Sequence, residues 1–162
     1  MITIEEFMTP EPYTLRETDS LNDARKIMTE KHIRHIPITD DDNHVLGLVT
    51  QRDVLAATEP GWKQTVENIS SESAIRLSDI MIRDVSIIHK SDSLRRAAMY
   101  IQSHKYGCLP VVSDDCLVGI ITDSDFIDIA INLLEQVEIT EEESKIESEA
   151  DIADLAVLRK IQ

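Results

Sequence analysis

The chain has 162 residues, 42% of them hydrophobic, and its 31 acids against 16 Lys and Arg give a net charge of −15. Such an excess of carboxylates excludes sequence-independent nucleic-acid binding, which needs clustered cations to displace counterions from phosphates. No run of about 18 apolar residues could span a bilayer, and "MITIEEFMTP" has neither the basic start nor the apolar stretch of a signal peptide, so no membrane insertion is expected and the cytoplasm is the expected compartment.

From the amino end, PYTL (residues 12–15) reads as a short strand. Ser20, a favoured N-cap type, then opens a helix in which Leu21, Ala24, Ile27 and Met28 recur at helical spacing. HIPIT (35–39) reads as a strand with a proline near its start, residues 40–43 as an acidic turn, and VLGLVT (45–50) as a strongly apolar strand. A second helix follows at once, beginning with RDVLAA. Residues 58–76, with a Pro-Gly break and polar character, read as a linker that holds Trp62, the single tryptophan, as a packing lid.

The same series then returns. Ser86, Ile87 and Ile88 form an extended piece, and Ser93 opens a helix with Leu94, Ala97, Ala98 and Ile101 on one face. CLPVV, an acidic turn at 113–115, LVGIIT and a helix starting SDFIDIAINLL complete it. The copies align at an offset of 73, with Asp19-Ser20-Leu21 repeated as Asp92-Ser93-Leu94, and the second turn is one residue shorter. The predicted fold class is therefore α+β, a tandem β-α-β-β-α duplication. Residues 1–57 form the first repeat, 58–76 the linker, 77–138 the second repeat and 139–162 an acidic tail. Each unit alone offers too little core, and two packed sheet against sheet bury enough apolar surface. In the tail, ITEEESKIESE reads as a solvated linker and EADIADLAVLRKIQ as a short amphipathic helix suited to self-packing or partner docking.

Two phrases carry the chemistry: GLVTQRDVL from Gly47 and GIITDSDFI from Gly119. Each sets a threonine three residues before an aspartate, Thr50 with Asp53 and Thr122 with Asp125. One reading is a capping box that only starts a helix. The other is a ligand site, because a carboxylate can accept from both hydroxyls of a ribose and the helix N-terminus favours a phosphate. Basic residues near these phrases, Arg52, Arg34, His35, His104 and Lys105, add positive charge. Met8 and Met81 fall at equivalent positions and read as core or dimer packing, with contact to a base as the sharper option. Cys108 and Cys116 read as reduced thiols, and of five histidines only His32 and His35 are close, so no metal site is expected. With four glycines there is no glycine-rich phosphate loop, and Cys108 lacks a recognisable base, so no catalysis is expected.

The doubled pattern, hydrophobic-x-x-hydrophobic-Pro before an acidic turn and Gly-h-h-Thr-x-x-Asp-h after it, resembles the CBS domain pair, or Bateman module, over about residues 1 to 134. The resemblance implies a pseudo-twofold pair with two clefts binding AMP, ADP or ATP, or an adenosyl ligand such as S-adenosylmethionine or NAD. It further implies a free-standing, non-catalytic regulatory module that forms a homodimer and acts on an unidentified partner protein. Each cleft is then built crosswise. One combines Thr122 and Asp125 with Tyr13, Ile33, Arg34 and His35; the other combines Thr50, Arg52 and Asp53 with Ser86, Tyr106, Gly107 and Cys108. Arg34 is the leading phosphate contact, and Asp123 beside Asp125 is expected to weaken phosphate binding in the Asp125 cleft. The rival reading is a dimerising interaction protein with unoccupied clefts.

Overall fold

The structure, a computed structural model, describes residues 2–58 and 75–159, without the side chains of 147, 148 and 151–159. Trp62 and most of the expected linker lie outside the described residues, as do the side chains of the amphipathic stretch at the tail. The chain divides into one unit running through Asp123 and a second from Ser124 onward.

In the first unit the duplication is plain. Helix α1 (Leu21–Lys31) precedes a hairpin of β2 (His35–Thr39) and β3 (Val45–Thr50), and α2 (Gln51–Thr58) follows. The second copy repeats this with α3 (Leu94–His104), β5 (Cys108–Ser113) and β6 (Cys116–Thr122). As expected, Ser20 and Ser93 are the N-caps of α1 and α3, their hydroxyls accepting from Asp23 N and Arg96 N at 3.2 Å each. Both helices end on a left-handed residue that is not glycine, His32 (φ 55°) and Lys105 (φ 58°).

The expected strand at 12–15 is reduced to one parallel bridge, Leu15 to Ile38. Its equivalent in the second copy is β4 (Ile88–His89), which runs parallel to β5 for two residues. Pro12 has no N–H to give a ladder, which leaves Leu15 N to Pro37 O (3.2 Å) and Thr39 N to Leu15 O (3.1 Å).

The leading segment of each repeat is exchanged between them. Strand β1 (Thr9–Pro10) pairs with β6 of the second copy, Thr9 opposite Ile120 and Pro10 opposite Gly119. In return Ile82 pairs with Leu48 of β3 through two hydrogen bonds of 2.9 Å. Single 3-10 turns at Ile4–Glu6 and Leu77–Asp79 repeat the exchange: Ile4 N donates to Asp92 O (3.0 Å) and Leu77 N to Asp19 O (2.9 Å). Ile4 and Leu77 are fully buried, and Leu77 and Met81 join Leu21, Ile36, Ile38 and Val49 in the first core cluster.

The two hairpins also meet tip to tip. Asn43 donates from Nδ2 to Leu117 O (2.8 Å), and Leu117 N donates to Asn43 O (3.0 Å). The first acidic turn is held by Asp40, which accepts from the N–H groups of Asp42 (3.0 Å) and His44 (2.8 Å). His44 Nδ1 stands 3.0 Å from its carboxylate, and that contact raises the His44 pKa.

In the second unit, α4 (Asp123–Arg159) runs as one helix of 37 residues, about 55 Å at 1.5 Å per residue. The expected solvated linker at 139–149 is thus helical. Its Glu and Lys residues are good helix formers, it contains no Gly or Pro, and Glu141 and Lys145 stand at the favourable i,i+4 spacing. Ile127, Ile131, Leu134 and Val137 of this helix are all exposed.

The conserved geometry of the crossing explains the glycine that opens each phrase. A Cβ on Gly47 would lie 2.8 Å from Ile82 O and 3.0 Å from Met81 Sδ; on Gly119 it would lie 2.4 Å from Met8 Sδ and 3.1 Å from Thr9 O. Gly47→Ala is therefore expected to destabilise by about 1–3 kcal/mol, the ordinary cost of overpacking, in urea unfolding. Gly119→Ala should cost less, because a flexible methionine is the nearest obstacle. Wild-type stability for Gly47→Ala would show that the crossing strand gives way freely.

Candidate functional site

Thr50 ends β3 and Asp53 sits in the first turn of α2. Asp53 Oδ2 accepts from Thr50 N (2.8 Å) and from Thr50 Oγ1 (2.7 Å), while Asp53 N donates to Thr50 Oγ1 at 3.3 Å. This is a capping box with aspartate at its third position, as the plainer reading of the phrase expected. It uses only one carboxylate oxygen. Among the described residues Asp53 Oδ1 takes no bond, so capping holds the side chain in place and leaves a second acceptor over.

Asp53 lines a cleft of about 590 Å3 in the first unit, formed where the two copies meet. Thr50, Arg52 and Asp53 line it from the first copy, and Tyr106, Gly107 and Cys108 from the second, as the crosswise arrangement expected. Ser86 does not line it, but its hydroxyl stands 3.4 Å from Tyr106 Oη, whose orientation it helps to fix. Tyr106 is also backed by a ring stack. His104 lies 5.3 Å away at 14°, and Tyr100 lies 4.3 Å beyond that at 23°.

Arg34 and His35, expected around Asp125, line this same Asp53 cleft. Tyr13 is half exposed with the Lys31 ammonium 5.4 Å over its ring, Ile33 packs against the first core cluster, and Thr122 pairs with Cys108 in the sheet. Asp125 belongs to the second unit. Sequence reasoning missed the apolar floor of the cleft, Leu48 and Ile82; the equivalence of Ile82 to Thr9 was the signal that could have found it.

The electrostatics are mixed. Arg34, Arg52 and Lys105 face Asp53 and Asp123, and Arg34 Nη2 stands 3.6 Å from Asp123 Oδ1. Burial lowers the pKa of His35, with Arg34 acting the same way and Asp123 and Asp53 opposing it. Burial pushes the Cys108 thiol up to about 12, helped by Asp123, so it stays protonated at neutral pH and is a poor nucleophile.

Two copies of one unit, exchanging their leading segments and enclosing a polar-rimmed cleft at their junction, define a tandem-repeat module. The CBS domain pattern matches residues 4–59 and 77–132, and the chain belongs to the CBS-domain family. It is similar to a solved Vibrio cholerae protein described for acetoin utilization (AcuB), with 48% identity and a TM-score of 0.73 over 85% of this chain and 96% of that one. It is also similar to CBSX2 of Arabidopsis thaliana, solved in complex with AMP, with 27% identity and a TM-score of 0.70 over 82% of this chain and 98% of that one. Homoserine O-acetyltransferase of Methanocorpusculum labreanum is 31% identical over 122 residues, 75% of this chain. The chain spans only 23% of that relative's length.

A histidine whose folded pKa lies below its unfolded value, about 6.5, stabilises the fold above that value and loses the contribution as pH falls through the folded pKa. His35→Gln should therefore flatten part of the wild-type decline in urea midpoint between pH 7.5 and 5. His44 acts in the opposite sense in both proteins and drops out of the comparison. Identical pH dependence in the two proteins would show that His35 is not held neutral by the fold.

Proposed function

We propose that this chain is a regulatory module that binds an adenine nucleotide, AMP, ADP or ATP, in the Asp53 cleft and passes its occupancy to a partner protein. The observation that carries this reading is Asp53, held by its cap through Oδ2 and lining a cleft of about 590 Å3 together with Arg34, Arg52 and Lys105. That volume lies within the range of small-molecule sites. A ribose would place its two hydroxyls on Asp53 and Thr50, the base would lie against Tyr106 over Leu48 and Ile82, and the phosphate would point to Arg34, Arg52 and Lys105. The AMP bound by CBSX2 supports the same class of ligand. S-adenosylmethionine and NAD share the adenosine half and belong in the same panel.

The module is read as cytoplasmic and non-catalytic, its output being a change in the arrangement of repeats or subunits that the ligand favours. Among the described residues no helix is long and apolar enough to cross a membrane. The exposed Ile127, Ile131, Leu134 and Val137 support self-association as a homodimer.

Isothermal titration with AMP tests the reading. Asp53→Asn keeps a capping oxygen and gives up the charged second acceptor, so folding stability should hold while AMP affinity falls at least about tenfold, the equivalent of 1.4 kcal/mol. Undiminished AMP binding by Asp53→Asn, or no binding of any panel member by the wild type, would overturn it.

A further inference from the structure

The two copies meet the cleft with equivalent but unlike residues. Gln51 opens α2, and its N–H donates to Arg34 O at 2.8 Å; Asp123 opens α4, and its N–H donates to Gly107 O at 3.0 Å. The same backbone bond thus pins both positions at the rim, one bearing a neutral amide and the other a carboxylate. Asp123 reaches Arg34 at 3.6 Å, with the two side chains 49% and 57% exposed. An ion pair that open to water is weak enough for a ligand anion to displace.

From this geometry we infer that Asp123 sets the charge selectivity of the Asp53 cleft: by holding Arg34 and by its own negative charge, it favours ligands with few phosphates over polyphosphates. The inference rests on the nucleotide reading above. A phosphate that reaches Arg34 takes the place of the Asp123 carboxylate, which then faces it without its counterion. Pinned through its own N–H, Asp123 cannot withdraw its backbone. Each further phosphate adds another like charge at the same rim, while Asp53 and Asp123 remain against the cations of Arg34, Arg52 and Lys105. The penalty therefore grows with the ligand's charge, from none for adenosine to its largest value for ATP. Had Gln stood at 123 as it does at 51, both openings of the cleft would be neutral.

The test is calorimetric titration of wild type, Asp123→Asn and Asp123→Gln with adenosine, AMP and ATP at moderate salt, with EDTA to exclude divalent cations. Adenosine affinity should stay within about twofold, AMP should bind about two to three times more tightly, and ATP about tenfold more tightly, as expected for partly screened like charges a few ångströms apart. In an Arg34→Gln background the ATP gain from Asp123→Asn should fall by more than half. An equal change for all three ligands, an unchanged ratio of ATP to AMP affinity, or a full gain without Arg34 would overturn the inference. Each of those results leaves nucleotide binding itself standing. Failure of every ligand to bind any of the proteins would bring down the nucleotide reading and this inference together.

Discussion

The exchange of leading segments is the constraint on which the rest of the first unit depends. Leu77 and Met81, which begin the second repeat, are buried in the core of the first, and the fully buried Ile4 is anchored by its N–H to the second copy at Asp92 O. A large aliphatic side chain moved from water to such a site stabilises by about 1.5–3 kcal/mol. Each copy therefore receives part of its core from the other, and the reciprocal bonds of Ile4 and Leu77 fix their mutual position. The cleft inherits its rigidity from that arrangement, because its floor residue Ile82 lies on an exchanged segment and its partner Leu48 on the receiving strand.

The same crossing gives the repeated phrase its spelling. Glycine suits the place where the exchanged segment crosses the strand, since a Cβ would meet Ile82 O and Met81 Sδ at position 47 and Met8 Sδ at position 119. Three residues further on, threonine ends the strand and with the aspartate forms the cap of the next helix. Packing and capping between them account for Gly47, Thr50 and Asp53. The binding role proposed for Asp53 would be added on top of these, through the carboxylate oxygen that Thr50 does not occupy. The capping and binding readings of this phrase are consequently compatible, because a side chain capped through one oxygen can still offer the other.

Much of this was legible in the sequence. The repeat offset, the caps at Ser20 and Ser93 and the β-α-β-β-α order follow from spacing and residue type, because local rules govern them, whereas the crosswise cleft was implied only by the family resemblance. The exchanged strands were not legible. Thr9–Pro10 is too short to show periodicity, and its partner lies more than a hundred residues along the chain. Met8 and Met81 were recognised as equivalent, but the glycines beneath them were not connected to them. The helical continuation through 139–149 was missed because a dense charge run was weighed as a solvated linker, although its residues are individually good helix formers.

That junction also explains why the copies could not remain identical. His35 turns toward Gly107, where a Cβ would lie 2.6 Å from its Nε2. These residues sit within one step of equivalent positions, 34 with 107 and 35 with 108, so the two strand starts approach each other too closely for both to carry bulky side chains. One copy fills the space with a ring and the other empties it. The copy that keeps glycine at 107 gives up the cation that its counterpart has at Arg34, and it instead supplies an anion, Asp123, that pairs with that cation. Loss of symmetry at the packing contact is thereby tied to loss of symmetry in charge. A cleft built on a duplicated frame thus ends with unlike residues at equivalent positions, Arg34 against Gly107 and Gln51 against Asp123, and the proposed selectivity for ligand charge would follow from that difference.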